Sequence, residues 1–227
     1  MWSLAKSKTP LGAMNFVRRS IKRKSLFFYK NNLINMKKGH FFIIGGVAGA
    51  GKGTLTGNLR KLDREDFYFP LSYKTRPKRP GEINGVDGHF VTIEEFKKAV
   101  DNNDFLEYAF VHNLDYYGTS ATDILEDGIK KEKKIIKELD YQGVIEIKKN
   151  HPDLMQYITT IFLNIPDEIM VERMKSRDNT ISEKEIQNRL NSAEKERKFR
   201  QNADYIINTS NITPEEVLEK ALKIINK

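Results

Sequence analysis

Six side chains in this chain have the type and spacing to do chemistry: Lys52 at the end of a glycine-rich turn, the arginine pairs Arg76/Arg79 and Arg177/Arg189, and Glu107 among apolar residues. The match to G-x4-G-K-[ST] runs from Gly46 through Val47, Ala48, Gly49, Ala50 and Gly51 to Lys52, with Gly53 in the Ser/Thr position and Thr54 one residue on. Glycines let backbone N–H groups converge on one point, and a helix starting there adds partial positive charge. That pattern suits the phosphates of a nucleotide, with Lys52 supplying full charge to the terminal ones. A hydroxyl at position 53 would ligate Mg²⁺; with glycine there, the metal keeps a water in its place. Two arginines close together in an extended segment can fork onto one phosphate, which a lone lysine cannot do. Glu107 reads either as a carboxylate accepting two donors from a base edge or as a solvent-facing strand residue.

These residues need elements to hold them. Phe41, Phe42, Ile43 and Ile44 form an apolar run bounded by glycine, the pattern of a buried strand, and Leu55 and Leu59 begin a helix that reaches about Leu62. Residues 72–90, with two prolines, three glycines and an Asn-Gly pair, predict turns and no helix. Taken alone, that segment reads as a solvated basic loop; beside a phosphate loop, Ser72, Arg76 and Arg79 stand out, the two arginines as ligands of a phosphate. Thr92 and Glu95 form a capping box opening a helix that ends near Asn102 or Asn103. Residues 105–120 read as strands around a turn at Asn113–Asp115, followed by a helix from about Ser120 to Gly128.

Within residues 133–143, Ile135, Ile136 and Leu139 predict a core strand with Glu138 and Asp140 on one side, where a Mg²⁺ shell belongs. Lys137 sits awkwardly in a strand buried on both faces. A helix follows, then a strand at 157–165 and a helix at 167–175. Ser182 and Glu185 predict a second capping box, flanked by Arg177 and Arg189; the alternative for that stretch is a charged surface helix. A strand at 204–208 and a helix capped by Thr213 complete a parallel-sheet pattern, interrupted by a β-rich insertion (about 71–120) and an Arg-rich helical one (about 173–198). Two arginine sets facing one phosphate loop is a kinase-like arrangement.

Composition narrows the alternatives. At 227 residues the chain suits one domain with inserted subdomains, and without cysteine it has neither disulfides nor thiol chemistry. Ten of its lysines and arginines, and no acid, fall in residues 1–38; subtracting those ten from the net +8 leaves −2 for the rest. The body is slightly acidic, which removes the main support for nucleic-acid binding, and no apolar run reaches the ~20 residues of a membrane span. Residues 1–37 read as an organelle transit peptide, as an extension ahead of a start at Met36, or as a membrane- or nucleic-acid-binding arm.

With these residues assembled, the chain resembles the guanylate kinase family over about residues 38–227, in SYKTRPKRPGEINGVDGHF, FLEYAFVHNLDYYGTS and LDYQGV. The resemblance implies an α/β P-loop kinase core with a parallel sheet flanked by helices, a GMP-binding insertion and a helical lid. It implies transfer of the γ-phosphoryl of Mg-ATP to GMP or dGMP in purine nucleotide metabolism. By the same resemblance Ser72, Glu107 and Thr119 read guanine, with Glu138 near the base; Arg76, Arg79 and Tyr117 hold the GMP phosphate; Gly46 to Thr54 bind ATP; Lys52, Arg76, Arg177 and Arg189 serve catalysis; and Asp140 lies in the outer Mg²⁺ shell. The partners implied are GMP and ATP, with no nucleic acid and no stable membrane association. The location implied is the cytoplasm, or an organelle if residues 1–37 are a transit peptide.

Three departures stand out: Gly88 where the family usually has a tyrosine touching the GMP phosphate, Glu138 where Asp is usual, and one extra residue around 113–115. Two alternatives remain at this level, a kinase of other monophosphates such as AMP and a non-catalytic guanylate-kinase-like interaction module.

Overall fold

The computed structural model describes residues 39–111, 115–177 and 179–227. The readings of residues 1–37 and of the turn and extra residue around Asn113 lie outside them. The described chain divides into two compact units, one made of residues 39–70 and 123–227, the other of residues 71–122.

The first unit is built on five parallel strands: β1 (His40–Gly46), β2 (Phe67–Tyr68), β7 (Lys134–Glu138), β8 (Ile158–Asn164) and β9 (Tyr205–Asn208), in the order β2-β7-β1-β8-β9. The apolar run puts β1 at the centre, with Phe41 opposite both Ile135 and Ile158 and Ile44 opposite Ile161. Phe41, Ile44, Ile135 and Ile161 have no solvent exposure, which is what a parallel sheet covered on both faces requires. Helices α1 (Lys52–Lys61), α3 (Tyr141–Asn150), α4 (Asp167–Arg177), α5 (Glu183–Arg200) and α6 (Pro214–Ile225) belong to this unit, with a π-helical segment at Asp123–Ile129. Leu55 and Leu59 of α1 and Val217, Ala221 and Ile225 of α6 bury their apolar stripes in the same core as Ile44 and Ile161. Thr213 closes a full capping box on α6. Only half of the box expected at Ser182 forms: its side chain accepts from the Glu185 N–H, while the Glu185 carboxylate takes a hydrogen bond from Arg189.

Lys137, the misfit of the sequence, is 4% exposed. Its Nζ donates to the Pro70 carbonyl at 3.2 Å, so the buried ammonium serves as a donor to main chain.

The second unit is a four-stranded sheet, β4-β3-β6-β5, from β3 (Ser72–Lys74), β4 (His89–Phe90), β5 (Phe105–Val111) and β6 (Asp115–Ser120), with helix α2 (Ile93–Asp101). The expected Thr92–Glu95 capping box starts α2. Phe96 of α2 stacks on Phe105 at 4.6 Å and on Tyr116 at 5.4 Å, giving the unit its own aromatic core.

Candidate active site

In the first unit β1 lies between β7 and β8, so the chain leaving its C-terminal end emerges where the sheet is extended in both directions, the usual ligand crevice of such sheets. Gly46 makes the exit possible: a Cβ there would sit 2.2 Å from the Leu163 carbonyl oxygen. Gly51 caps α1 with φ 94°, a left-handed conformation that suits glycine. Val47 and Ala50 are buried beneath the loop, Ala48 is partly buried, and Gly53 and Thr54 are exposed on the first turn of α1.

Two side chains brace this loop, and neither is assigned a role by the motif. Arg173 donates to the Gly49 carbonyl at 3.1 Å and to the Thr209 carbonyl at 2.7 Å, and the Thr209 hydroxyl donates to the Ala50 carbonyl at 2.9 Å. A trans peptide carries its C=O and N–H in opposite directions, so fixing the Ala50 carbonyl turns the Gly51 N–H the other way. The first amides of α1 have no intrahelical acceptor and extend that donor set.

Lys52 folds back over the loop, its Nζ donating to the carbonyls of Gly46 and, at 3.1 Å, Val47. Burial lowers its pKa; the carboxylates of Glu196, Glu138 and Asp140 oppose that shift and Arg189 reinforces it. Lys52 therefore shares one electrostatic neighbourhood with three acids and Arg189. Arg189 is spent on a surface pair with Glu185 at 2.9 Å, an i,i+4 contact of about 0.3–0.5 kcal/mol that a phosphate can displace. Arg177 ends α4 and is exposed.

Glu138 closes β7, its Oε1 3.9 Å from where a Cβ on Gly53 would lie. The expectation that Glu138 and Asp140 share one side of a strand is corrected: β7 stops at Glu138, and Asp140 is the N-cap of α3, its carboxylate accepting from the Gly143 N–H at 2.9 Å. Among the described residues no three His, Cys, Asp or Glu side chains gather into a metal cage. Glu138 and Asp140, the two carboxylates that act on Lys52 from β7 and the start of α3, are of the type that holds Mg²⁺ together with substrate phosphates.

Glu196 on α5 was not singled out by the sequence. It lines a cleft with Gly46, Asp140 and Phe199, and its Oε2 is buried with no hydrogen-bond partner among the described residues. Burial, reinforced by Asp140 and opposed by Lys52 and Arg197, pushes its pKa from 4.5 up to about 7. A carboxyl raised in the folded state stabilises while protonated; that contribution is whole below about pH 4.5 and lost as pH rises through about 7. Glu196→Gln keeps the shape without the ionisation. It is expected to melt about 5 °C above the native chain at alkaline pH, with the two curves converging in acid. Thermal melting across that range checks this, and parallel curves would remove the assignment.

The second unit gathers the other set. Ser72, Thr119 and Glu107 pair across three adjacent strands in one row; Lys74, Tyr117 and Ala109 pair two residues along, in the next row of the same face. Glu107 is 5% exposed and accepts a hydrogen bond from the Thr119 hydroxyl, which excludes the solvent-facing reading. Arg76 donates to the Tyr117 hydroxyl at 3.2 Å and forks onto both oxygens of Glu82 at 2.6 Å. Glu82 also accepts from the Arg79 backbone N–H at 2.7 Å; together these hold its pKa down at about 2, Arg76 foremost, and raise that of Arg76. The segment is therefore a tied turn around Arg76 and not merely a solvated basic loop, while the Arg79 side chain stays exposed. Glu82 went unassigned in the sequence; its signal was a carboxylate six residues after Arg76 across Pro80-Gly81. Of the residues expected at a base or acceptor phosphate, Ser72, Arg76, Arg79, Glu107, Tyr117 and Thr119 lie in this unit and Glu138 in the other.

A phosphate loop at the end of the central strand of a parallel sheet, followed directly by a helix, defines the P-loop kinase fold. The family model described as guanylate kinase matches residues 38–227. The chain is 36% identical over 174 residues to a guanylate kinase of Fusobacterium nucleatum, covering 76% of this chain and 89% of that one. It is 37% identical over 187 residues to one of Helicobacter pylori, covering 82% and 84%. The crystal structure of guanylate kinase from Anaplasma phagocytophilum superposes with a TM-score of 0.65 at 23% identity, covering 84% of this chain and 86% of that chain; this likeness concerns the fold. The chain belongs to the guanylate kinase family. No helix among the described residues is long and apolar enough to cross a membrane.

Proposed function

We propose that this chain moves the γ-phosphoryl group of ATP to GMP or dGMP, releasing ADP and the nucleoside diphosphate, as a cytoplasmic step of purine nucleotide metabolism. The observation that carries the reading is Glu107, a buried carboxylate whose cross-strand partner Thr119 lies two residues along β6 from Tyr117, the partner of Arg76. A guanine edge offers N1–H and the 2-amino group to such a carboxylate, while adenine offers an acceptor there and would leave it unpaired. Ser72 and Thr119 complete the base-reading row, and Arg76, Arg79 and Tyr117 hold the acceptor's phosphate.

Gly46 to Thr54 hold the phosphates of ATP, and Lys52 shifts from its loop carbonyls to the transferring group, where Arg177 and Arg189 add charge from α4 and α5. Mg²⁺ bound to those phosphates would supply further charge neutralisation, its waters held by Asp140 with Glu138 nearby. The segment about 173–198 acts as a lid carrying Arg177 and Arg189. A purely interaction-module role is disfavoured by a braced phosphate loop that retains its lysine.

The test is ADP formation with ATP and each of GMP, AMP, UMP and CMP. GMP is expected to exceed the others by at least about 100-fold in kcat/KM, the scale at which a hydrogen-bonding site rejects an analogue. Comparable rates with AMP would overturn the reading of the base site.

A further inference from the structure

The residue at position 88 and the residue at position 74 account for each other. Gly88 leaves a space into which the end of Lys74 reaches: a Cβ on Gly88 would stand 2.9 Å from both Cε and Nζ of Lys74. The ammonium is held there by the Asp87 carbonyl, which accepts from it at 2.8 Å and uses one of its three donors. It also lies 5.3 Å from the centre of the Phe90 ring, and the Arg76 guanidinium lies 5.2 Å from the same ring. Strand alternation puts Lys74 on the face of the sheet that carries Ser72, and its cross-strand partner is Tyr117, the residue that hydrogen-bonds Arg76. Lys74 is thus a half-buried cation whose ammonium approaches the same ring as the Arg76 guanidinium.

Such a cluster is costly without an anion. Burial and the adjacent Arg76 lower the affinity of Lys74 for its proton; Glu82 and Asp87 oppose that shift, and Arg79 adds to it. Residues 72–90 carry four cations (Lys74, Arg76, Lys78 and Arg79) and two acids (Glu82 and Asp87), a segment charge of +2. Glu82 is committed to Arg76, and Asp87 accepts from the Ile83 N–H.

We infer that Lys74 is a third cationic ligand of the acceptor nucleotide's phosphate, standing beside Arg76 in the room that glycine at 88 leaves open. This rests on the reading of the acceptor site given above and adds to it a residue that the motif does not mark. The ammonium swings from the Asp87 carbonyl to a phosphate oxygen, exchanging a neutral acceptor for a charged one.

The experiment compares the full chain with Lys74→Met and Lys74→Arg, reading KM for GMP, KM for ATP and inhibition by guanosine, which has the base without the phosphate. Lys74→Met is expected to raise KM for GMP about tenfold or more, as losing one charge-assisted contact does. Guanosine inhibition and KM for ATP should stay unchanged, and Lys74→Arg should recover most of the loss. An unchanged KM for GMP, or equal losses for GMP and guanosine, would overturn the assignment, the latter by showing a role in building the sheet. Because substitution can unfold the unit, the lysine Nζ resonance of the native chain gives a second reading. It should move with GMP and not with guanosine, and no movement counts against the proposal. Failure of the native chain to use GMP at all would instead defeat the underlying function, so the two failures are distinct.

Discussion

Lys52→Ala is expected to abolish nearly all turnover while leaving the chain folded. The Nζ of Lys52 donates to the carbonyls of Gly46 and Val47, in a loop that Arg173 and Thr209 also brace. Those braces do not depend on the lysine, so the loop keeps its shape without it. The loss falls on the moving phosphoryl group, whose developing charge then lacks its one full positive charge from the loop. Removing a single preorganised donor from a charge-stabilising site costs about 100- to 1,000-fold in rate, and removing a full charge costs at least that. The measurement is kcat under saturating GMP and ATP together with thermal melting. A variant that melts normally and retains substantial kcat would sink the phosphoryl-transfer role of Lys52.

The second large effect concerns base choice. In Glu107→Gln the amide oxygen can still accept from the Thr119 hydroxyl, so the pairing that positions this side chain survives. The amide nitrogen replaces an acceptor with a donor facing the guanine N–H groups. A mismatch of that kind costs about 1–3 kcal/mol, so the preference for GMP over AMP should shrink by about 5- to 150-fold. KM for ATP should stay near its native value, since Glu107 belongs to the 71–122 unit and the phosphate loop to the other. If ATP suffers as much as GMP, Glu107 supports the fold and does not read the base.

Periodicity made the strands and helices legible because each buries one recurrent face. The Phe41–Ile44 run, the Leu55/Leu59 stripe and the Thr92 and Thr213 boxes all fall where local pattern placed them. What local pattern missed depends on partners distant in the chain. Lys137 looked wrong for a core strand because its acceptor, the Pro70 carbonyl, lies 67 residues away. Arg173 and Thr209 look like ordinary helix and loop residues until the fold brings them against Gly49 and Ala50. Asp140 was read two residues too far along a strand, because an apolar Leu139 continues the pattern that the backbone has already left. Glu185 matched a capping motif but took a cation instead, a competition that spacing alone does not decide.

The brace on the phosphate loop also bears on the timing of events. With the carbonyls of Gly49 and Ala50 tied to Arg173 and Thr209, the order of the loop is established when the chain folds, not when a nucleotide arrives. Capture of the donor's phosphates then calls for new partners for the Lys52 and Arg189 side chains, while the loop backbone is already in place. A loop ordered in advance pays less ordering entropy on binding than one that must close around its ligand.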